Sequence, residues 1–392
     1  MYTYKYTDDV ESMLEIARFA FSVPWQDHPQ VEQRPRQLLA EGKQLFGAYR
    51  DGRLVAGYVL YPFRMRFRRS LVPMGGIGFV CSRPEVRGQG AIRFLLERAV
   101  ATRREARMPI SVLYPFRVDF YRKYGWELFA CRQVVQFARG ALEIPSADLQ
   151  VEARELAYPD PECQDFYNRY AETHYNFVLR GEAEWRAALR SFLPTEAGRG
   201  VVKFTRGREV VGLLTYVLRR RGPGDDPHVF TVPLLACRDE PAKWAMLQFL
   251  RGLAHQVETI ELQLPLDQLM WPYLAHRPAN AQVQGTGMIR VTSLEDLSGL
   301  EVAAPDMSVR VRVRDPQAEW NDGTFALAVD GGVLHVARAE RAEVSCDVGT
   351  LSAVLSGFTS FQEMIACGRV QAHGGYRGQG LPKVTTAIAD YF

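Results

Sequence analysis

The sequence predicts a mixed α/β (α+β) fold: two related strand–helix units in tandem, followed by a smaller α+β layer. Three observations carry this. A strand-like run near residue 80 breaks into a glycine turn and then an amphipathic helix. The hairpin Gly52-Arg53-Leu54-Val55-Ala56-Gly57 returns as Gly207-Arg208-Glu209-Val210-Val211-Gly212, with apolar runs on both sides each time. From about residue 289 strands come first and helices after, the order of an α+β layer. The domains are accordingly drawn at 1–145, 146–288 and 289–392. A chain of 392 residues has room for two or three such units.

In chain order, residues 9–21 read as a helix. The runs 45–50 and 54–61 read as strands joined by Asp51-Gly52, a strong hairpin signal. A strand over 74–80 contains Gly75, Gly76 and Gly78, which leave its backbone edge open. Next come Val80-Cys81-Ser82, a stop at Pro84, the turn Arg87-Gly88-Gln89-Gly90 and a helix opening at Ala91. Ile92, Leu95, Leu96, Ala99 and Val100 give that helix one apolar face. The two glycines allow a ligand to approach the backbone closely, and the unpaired N–H groups at the helix start favour an anion. Arg87 and Arg93 add charge beside them. This is the chemistry of a pyrophosphate cradle, and it points to a nucleotide-like cofactor. A P-loop would need Gly-Lys-Ser/Thr here, and a Rossmann turn a third glycine with an acid about 20 residues on; neither is present.

This segment resembles the coenzyme A loop of the GCN5-related N-acetyltransferases, whose pattern is Arg/Gln-x-x-Gly-x-Gly/Ala. Arg87 and Gly90 fit it; Ile92 stands in place of the final small residue, and an apolar residue followed by Arg, here Ile92-Arg93, is usual in one subfamily. Downstream, Phe120-Tyr121-Arg122-Lys123-Tyr124-Gly125-Trp126 resembles the family's Phe-Tyr-x-Lys-x-Gly-Phe signature. The resemblance implies acetyl-CoA as co-substrate, bound by Val80, Cys81, Ser82, Arg87, Gly88, Gln89, Gly90, Ala91, Ile92 and Arg93, with Phe116 and Arg117 from the next loop. It also makes Tyr121 the acid that protonates or hydrogen-bonds the departing thiolate. The acceptor pocket would lie near the loop after the first helix, with Trp25 as an aromatic wall and Asp27 as an ammonium partner; His28 reads as exposed.

In the second unit the run 229–236 is followed by Cys237-Arg238-Asp239-Glu240-Pro241 and a helix over about 244–255. No glycine stands at the turn. Asp239 and Glu240 put carboxylates where an anion would sit, so this copy reads as degenerate and unable to bind coenzyme A. In the last third, 309–313, 324–329 and 333–337 alternate like strands around Asp330-Gly331-Gly332. Helix-start chemistry is expected at Thr350 and Ser352. This part resembles a sterol-carrier-protein-like domain, read here as structural.

The order of the three parts resembles the "enhanced intracellular survival" (Eis) family, whose members acetylate amines, including aminoglycosides and lysine side chains. The ending Ile388-Ala389-Asp390-Tyr391-Phe392 agrees with it. The resemblance makes the α-carboxylate of Phe392 the general base and implies a homohexamer. Tyr391 stands where antibiotic-modifying members carry an acid. The reading is therefore direct acetyl transfer to a primary amine of aminoglycoside, polyamine or lysine type. Its rivals are a catalytically idle coenzyme A-binding regulator and a lipid-binding scaffold.

Composition sets the remaining bounds. Net charge is +3, with 24% charged and 47% hydrophobic residues, as in ordinary folded proteins. The arginines at 64, 66, 68 and 69 and the run 219–221 flank turns without interleaved aromatics, and they read as solvated hairpins rather than a nucleic-acid surface. The six cysteines show no ligand spacing, so neither a disulfide framework nor a metal site is expected; Cys81 reads as a small buried residue. No signal peptide or membrane-spanning run is read, and a cytoplasmic enzyme is expected.

Overall fold

The computed structural model describes residues 1–21, 36–145, 149–189, 196–220, 227–253, 257–374, 376, 378 and 380–389. The chain divides into two compact units. One comprises residues 1–130 and 286–386, the other residues 131–285 and the segment that starts at Ala387.

The first unit holds β1 (Thr3–Tyr6), β2 (Gln44–Arg50), β3 (Arg53–Phe67), β4 (Ser70–Ser82), β5 (Ile110–Leu113) and β6 (Glu127–Leu128). The second holds β7 (Cys131–Ala138), β8 (Glu152–Leu156), β9 (Glu196–Arg206), β10 (Glu209–Arg220), β11 (Pro227–Cys237), β12 (Thr259–Leu264) and β13 (Asn280–Gly285). The chain then returns to the first unit with β14 (Met288–Val291). The sheet orders are β1-β2-β3-β4-β5-β14-β6 and β13-β7-β12-β11-β10-β9-β8. Read from β1 and from β8, they are the same sheet built twice. Each sheet takes its sixth-placed strand from across a boundary drawn from sequence. The division at 145 puts β7 in the first domain and that at 288 cuts β14, whereas β7 lies between β12 and β13, and β14 between β5 and β6. Strand pairing is long-range, so nothing local in either segment announces its partner.

In the first unit α1 (Val10–Phe21) packs on β3 and β4, and α2 (Ala91–Glu105) on β2 to β5. Leu95, Leu96, Ala99 and Val100 are buried as the periodicity requires, among Phe46, Tyr58, Ile77 and Leu113. A short α3 (Val118–Arg122) follows β5. The second unit carries α4 (Pro161–Thr173), α5 (Glu182–Ala188) and α6 (Glu240–Gly252). Helix α6 starts earlier than the expected 244 because Asp239 caps it, accepting from the Ala242 N–H at 2.9 Å.

The last third adds β15 (Met307–Arg314), β16 (Gly323–Asp330), β17 (Val333–Arg338), β18 (Val344–Asp347) and β19 (Gln371–Ala372), with α7 (Val348–Ser356) and α8 (Phe361–Ala366). The sheet order is β17-β16-β15-β18-β19. Thr350 and Ser352 lie inside α7 rather than at its start; Asp347 is the cap and accepts from the Thr350 N–H at 2.8 Å. Every residue of α7 is buried, and the helix packs on β14, β6, β15 and β18.

The β3–β4 turn is fixed to this helix. Arg68 is fully buried and donates to the carbonyls of Leu355 (2.7 Å), Val354 (3.0 Å) and Pro382 (2.7 Å). Its charge sits at the negative end of α7, where a cation is stabilised. The expected solvated hairpin thus holds for Arg64 and Arg69, which are exposed, and fails for Arg68. A second fastener is Arg290 of β14. Both Arg290 and Asp315 are fully buried, and Arg290 Nη2 donates to the two Asp315 oxygens at 2.8 Å each while Nη1 donates to the Tyr124 carbonyl at 2.7 Å.

Candidate active site

Strands β4 and β5 pair in parallel only from Met74↔Ile110 to Ile77↔Leu113. Beyond Ile77, β4 runs on to Ser82 without a strand partner on that side among the described residues. The divergence has a local cause. Between Gly57↔Cys81 and Val59↔Gly78, β4 holds one residue more than β3, a β-bulge. Phe79 sits in this bulge at φ +56°, a conformation uncommon for a residue with a side chain. The backbone groups of residues 79–82 on the β5 side are therefore available to a strand-like ligand, as a pantetheine arm requires.

Strand β4 ends at a braced corner. Arg83 is buried and donates to the Leu54 carbonyl at 2.8 Å and to Glu15 at 2.6 Å. That hydrogen bond holds the Glu15 carboxyl below its usual range, against the opposing effect of burial. A single helical turn, Pro84–Val86, leads to Gly88 and Gly90 at φ +76° and +85°. A Cβ at either glycine would meet nothing within 4 Å, so backbone conformation, not space, calls for glycine there. Gly90 is the N-cap of α2 and offers no side-chain acceptor, and the first helical bond runs from Phe94 to Gly90. The N–H groups of Ala91, Ile92 and Arg93 consequently lack intrahelical partners, an arrangement that suits an anion such as a diphosphate.

The side chains around this turn divide by role. Gln89 accepts from Arg50 at 2.7 Å and donates to the Glu85 carbonyl at 2.7 Å, so it braces the loop. Arg87 donates to the Phe19 carbonyl at 3.3 Å, and Arg93 is paired with Glu97 at 2.8 Å one helical turn on. Both arginines are exposed. Ala91 and Ile92 face the core instead. Cys81 is buried with its Sγ 3.8 Å from Met13 Sδ, and burial pushes its thiol well above the usual range, so it contributes backbone and packing rather than a nucleophile.

Tyr121 lies in α3 and shares a core cluster with Ile77 and Leu113, the last paired residues of the two diverging strands, and with Ala91 at the start of α2. It is 3% exposed, with its ring edge-on to Phe116 (5.7 Å) and Phe120 (5.1 Å). Burial pushes its phenol well above the ordinary tyrosine range. Among the described residues its hydroxyl has no hydrogen-bond partner. Phe116 is 70% exposed, and Arg117 is bound to Asp119 at 2.6 and 3.0 Å on the surface. Trp25, Asp27, His28 and Phe392 lie outside the described residues.

Two contributors are not visible in the sequence reading: Phe79, whose bulge opens the strands, and Phe21, whose ring lies 5.0 Å from it. The run Gly75-Gly76-Ile77-Gly78 was the available signal, but it marks small residues rather than the bulge position. In the second unit, Asp239 occupies the place of the glycine turn, and the Arg206 guanidinium holds its carboxyl down at about 2.

Family models described as acetyltransferase (GNAT) domains match residues 3–129 and 177–291, and a sterol carrier protein domain model matches residues 286–390. The chain carries two GNAT domains in tandem and a sterol-carrier-type domain. GNAT domains use acetyl-CoA as co-substrate, and the turn at 87–93 fits that ligand. A GCN5-related N-acetyltransferase from Anabaena variabilis is similar over 100% of both chains at 19% identity, with a TM-score of 0.87. A probable N-acyltransferase from Enterococcus faecalis is 20% identical over 100% of both chains, with a TM-score of 0.84. Eis1 from Mycobacterium abscessus is 17% identical over 100% of both chains, with a TM-score of 0.77. Such identities establish a shared fold. No curated protein matches the chain by sequence. Among the described residues, no helix is long and apolar enough to cross a membrane.

Proposed function

We propose that the protein is an acetyl-CoA-dependent N-acetyltransferase acting on a primary amine of the aminoglycoside, polyamine or lysine type, with the first GNAT domain as its catalytic centre. The observation that carries this reading is Tyr121: a buried phenol without a hydrogen-bond partner among the described residues, packed with the last paired residues of two parting strands and with Ala91 at the start of α2.

An amine of pKa about 10.4 is neutral in roughly one molecule in two thousand at pH 7, a deficit of about 4–5 kcal/mol that a base must offset. The α-carboxylate of Phe392 is the proposed base. Its reference pKa of about 3.5 makes it weak, so burial or a water relay has to assist. Backbone N–H groups of residues 80–82 polarise the thioester carbonyl as charge develops. Tyr121 donates to the leaving sulfur. A thiol's reference pKa is about 8.5 and a phenol's about 10, so complete proton transfer from Tyr121 is uphill, and a strengthening hydrogen bond is the favoured form of help. The second GNAT domain, with Asp239 at its helix start, takes no coenzyme A.

The test is coenzyme A release from acetyl-CoA across a panel of aminoglycosides, polyamines and lysine peptides, beside a variant lacking Phe392. Turnover that collapses on deletion supports reaction and base together. Turnover that survives moves the base elsewhere. Acetyl-CoA binding without turnover of any amine overturns the enzyme reading in favour of an idle binder.

A further inference from the structure

The second sheet opens where the first one does. Strands β11 and β12 pair in parallel from Val229↔Thr259 to Val232↔Leu262 and then part, while β11 continues to Cys237. A register shift against β10, between Thr215 and Val217, stands at the parting, as the Phe79 bulge does in β4. In the first sheet the opening leads to a glycine turn; in the second it leads to the Asp239 carboxylate. A coenzyme's diphosphate is repelled there, yet the opening between the strands persists.

The chain's own later segment borders this opening. A cavity beside Pro233, Leu234 and Leu235 of β11 and Leu264 of β12 is also lined by Ala387, Ile388 and Ala389. Ala387 and Ile388 are each 6% exposed, and Ala387 belongs to the core cluster of Leu234, Tyr170 and Phe177. The Ala387 N–H donates to the Tyr175 carbonyl at 3.4 Å.

We infer that the cofactor opening of the second GNAT domain has become a slot for an extended apolar peptide, and that its ligand is the segment Ala387-Ile388-Ala389 of the same chain. Small side chains on either side of one isoleucine suit a narrow passage between two parted strands, as in peptide recognition by strand edges. The slot makes these three positioning residues. Phe392, the proposed base, stands three residues beyond Ala389 in the sequence, so holding Ala389 shortens its tether to three residues, each spanning at most about 3.3–3.6 Å. This consequence rests on the proposed base; the slot itself does not.

The test places a photo-cross-linking residue at position 388 of the full chain and maps the products by mass spectrometry. Cross-links to the peptides containing residues 233–235 or 263–265 are expected; products confined to other segments overturn the slot. Because this readout needs no turnover, it fails or succeeds independently of the base. A second measurement addresses positioning. Ala387→Arg in the full chain is expected to lower kcat at least tenfold while KM for acetyl-CoA stays within twofold, and Ala387→Gly to restore most of the rate. Unchanged kcat in the arginine variant overturns the positioning role, and a parallel rise in KM overturns it in favour of general damage.

Discussion

Burial decides what Tyr121 can do. A phenol held above its ordinary range stays protonated at every practical assay pH, so it is always a donor and never a base. Tyr121→Phe keeps the ring packing and removes only the hydroxyl. Turnover should fall about 100-fold, with the melting temperature nearly unchanged and no break in the pH–rate profile assignable to Tyr121. A variant with full turnover would remove Tyr121 from the mechanism. Arg290 presents the opposite case, a residue whose work is structural. Replacing it with Met strands the Asp315 carboxylate in a site with no solvent exposure, and breaking such a pair costs about 3–5 kcal/mol. Urea unfolding of Arg290→Met should show that loss. Gly125 explains part of the constraint: at φ +82°, a Cβ there would lie 1.6 Å from Arg290 Nη1.

At the scale of elements, the two GNAT domains differ at the helix starts at 90 and 239. Gly90 adopts φ +85° with open space before it. Alanine there costs about 1–2 kcal/mol in that conformation and obstructs close approach of a diphosphate. Titration calorimetry should show acetyl-CoA binding weakened about tenfold or more in Gly90→Ala; unaltered affinity would mean the turn is not the cradle. Asp239 answers to pH instead. Its carboxyl is depressed to about 2, first by its hydrogen bond to Arg206, against about 3.9 in an unfolded chain. A depressed carboxyl stabilises the fold above the unfolded value, and the contribution fades as pH falls toward 2. Asp239→Asn should therefore be less stable than the parent at pH 7, with the gap closing between about pH 5 and 2. A constant gap across that range would deny the ion pair its role.

At the scale of the molecule, the two GNAT sheets are completed by strands that lie outside their own stretch of sequence. A fragment of residues 1–145 lacks β14, so β5 and β6 lose the strand between them, and α7, whose carbonyls Arg68 caps, is gone as well. That fragment is expected to give no acetyl-CoA heat in calorimetry and no cooperative melt. A folded, cofactor-binding fragment would show that the strand exchange is dispensable.

What could be read from the sequence is what a few consecutive residues decide. Asp51-Gly52 and Gly331-Gly332 turn their hairpins with positive φ, and Gly88 and Gly90 shape the turn before α2 the same way. The apolar spacing of Leu95, Leu96, Ala99 and Val100 fixes the buried face of α2. Each of these rests on a local backbone requirement or a short period, so the sequence alone determined the two hairpins, the glycine turn and the buried face of the helix that follows it. Tertiary structure alone decided that β7 and β14 pair in the other sheet, that Arg68 is buried under α7 rather than hydrated, and that Phe79 strains into a bulge. In each of these the partner is remote: Arg68 meets Leu355 across 287 positions. Such a partner leaves no trace in the neighbouring residues, because the free energy that selects it exists only once the sheets have packed.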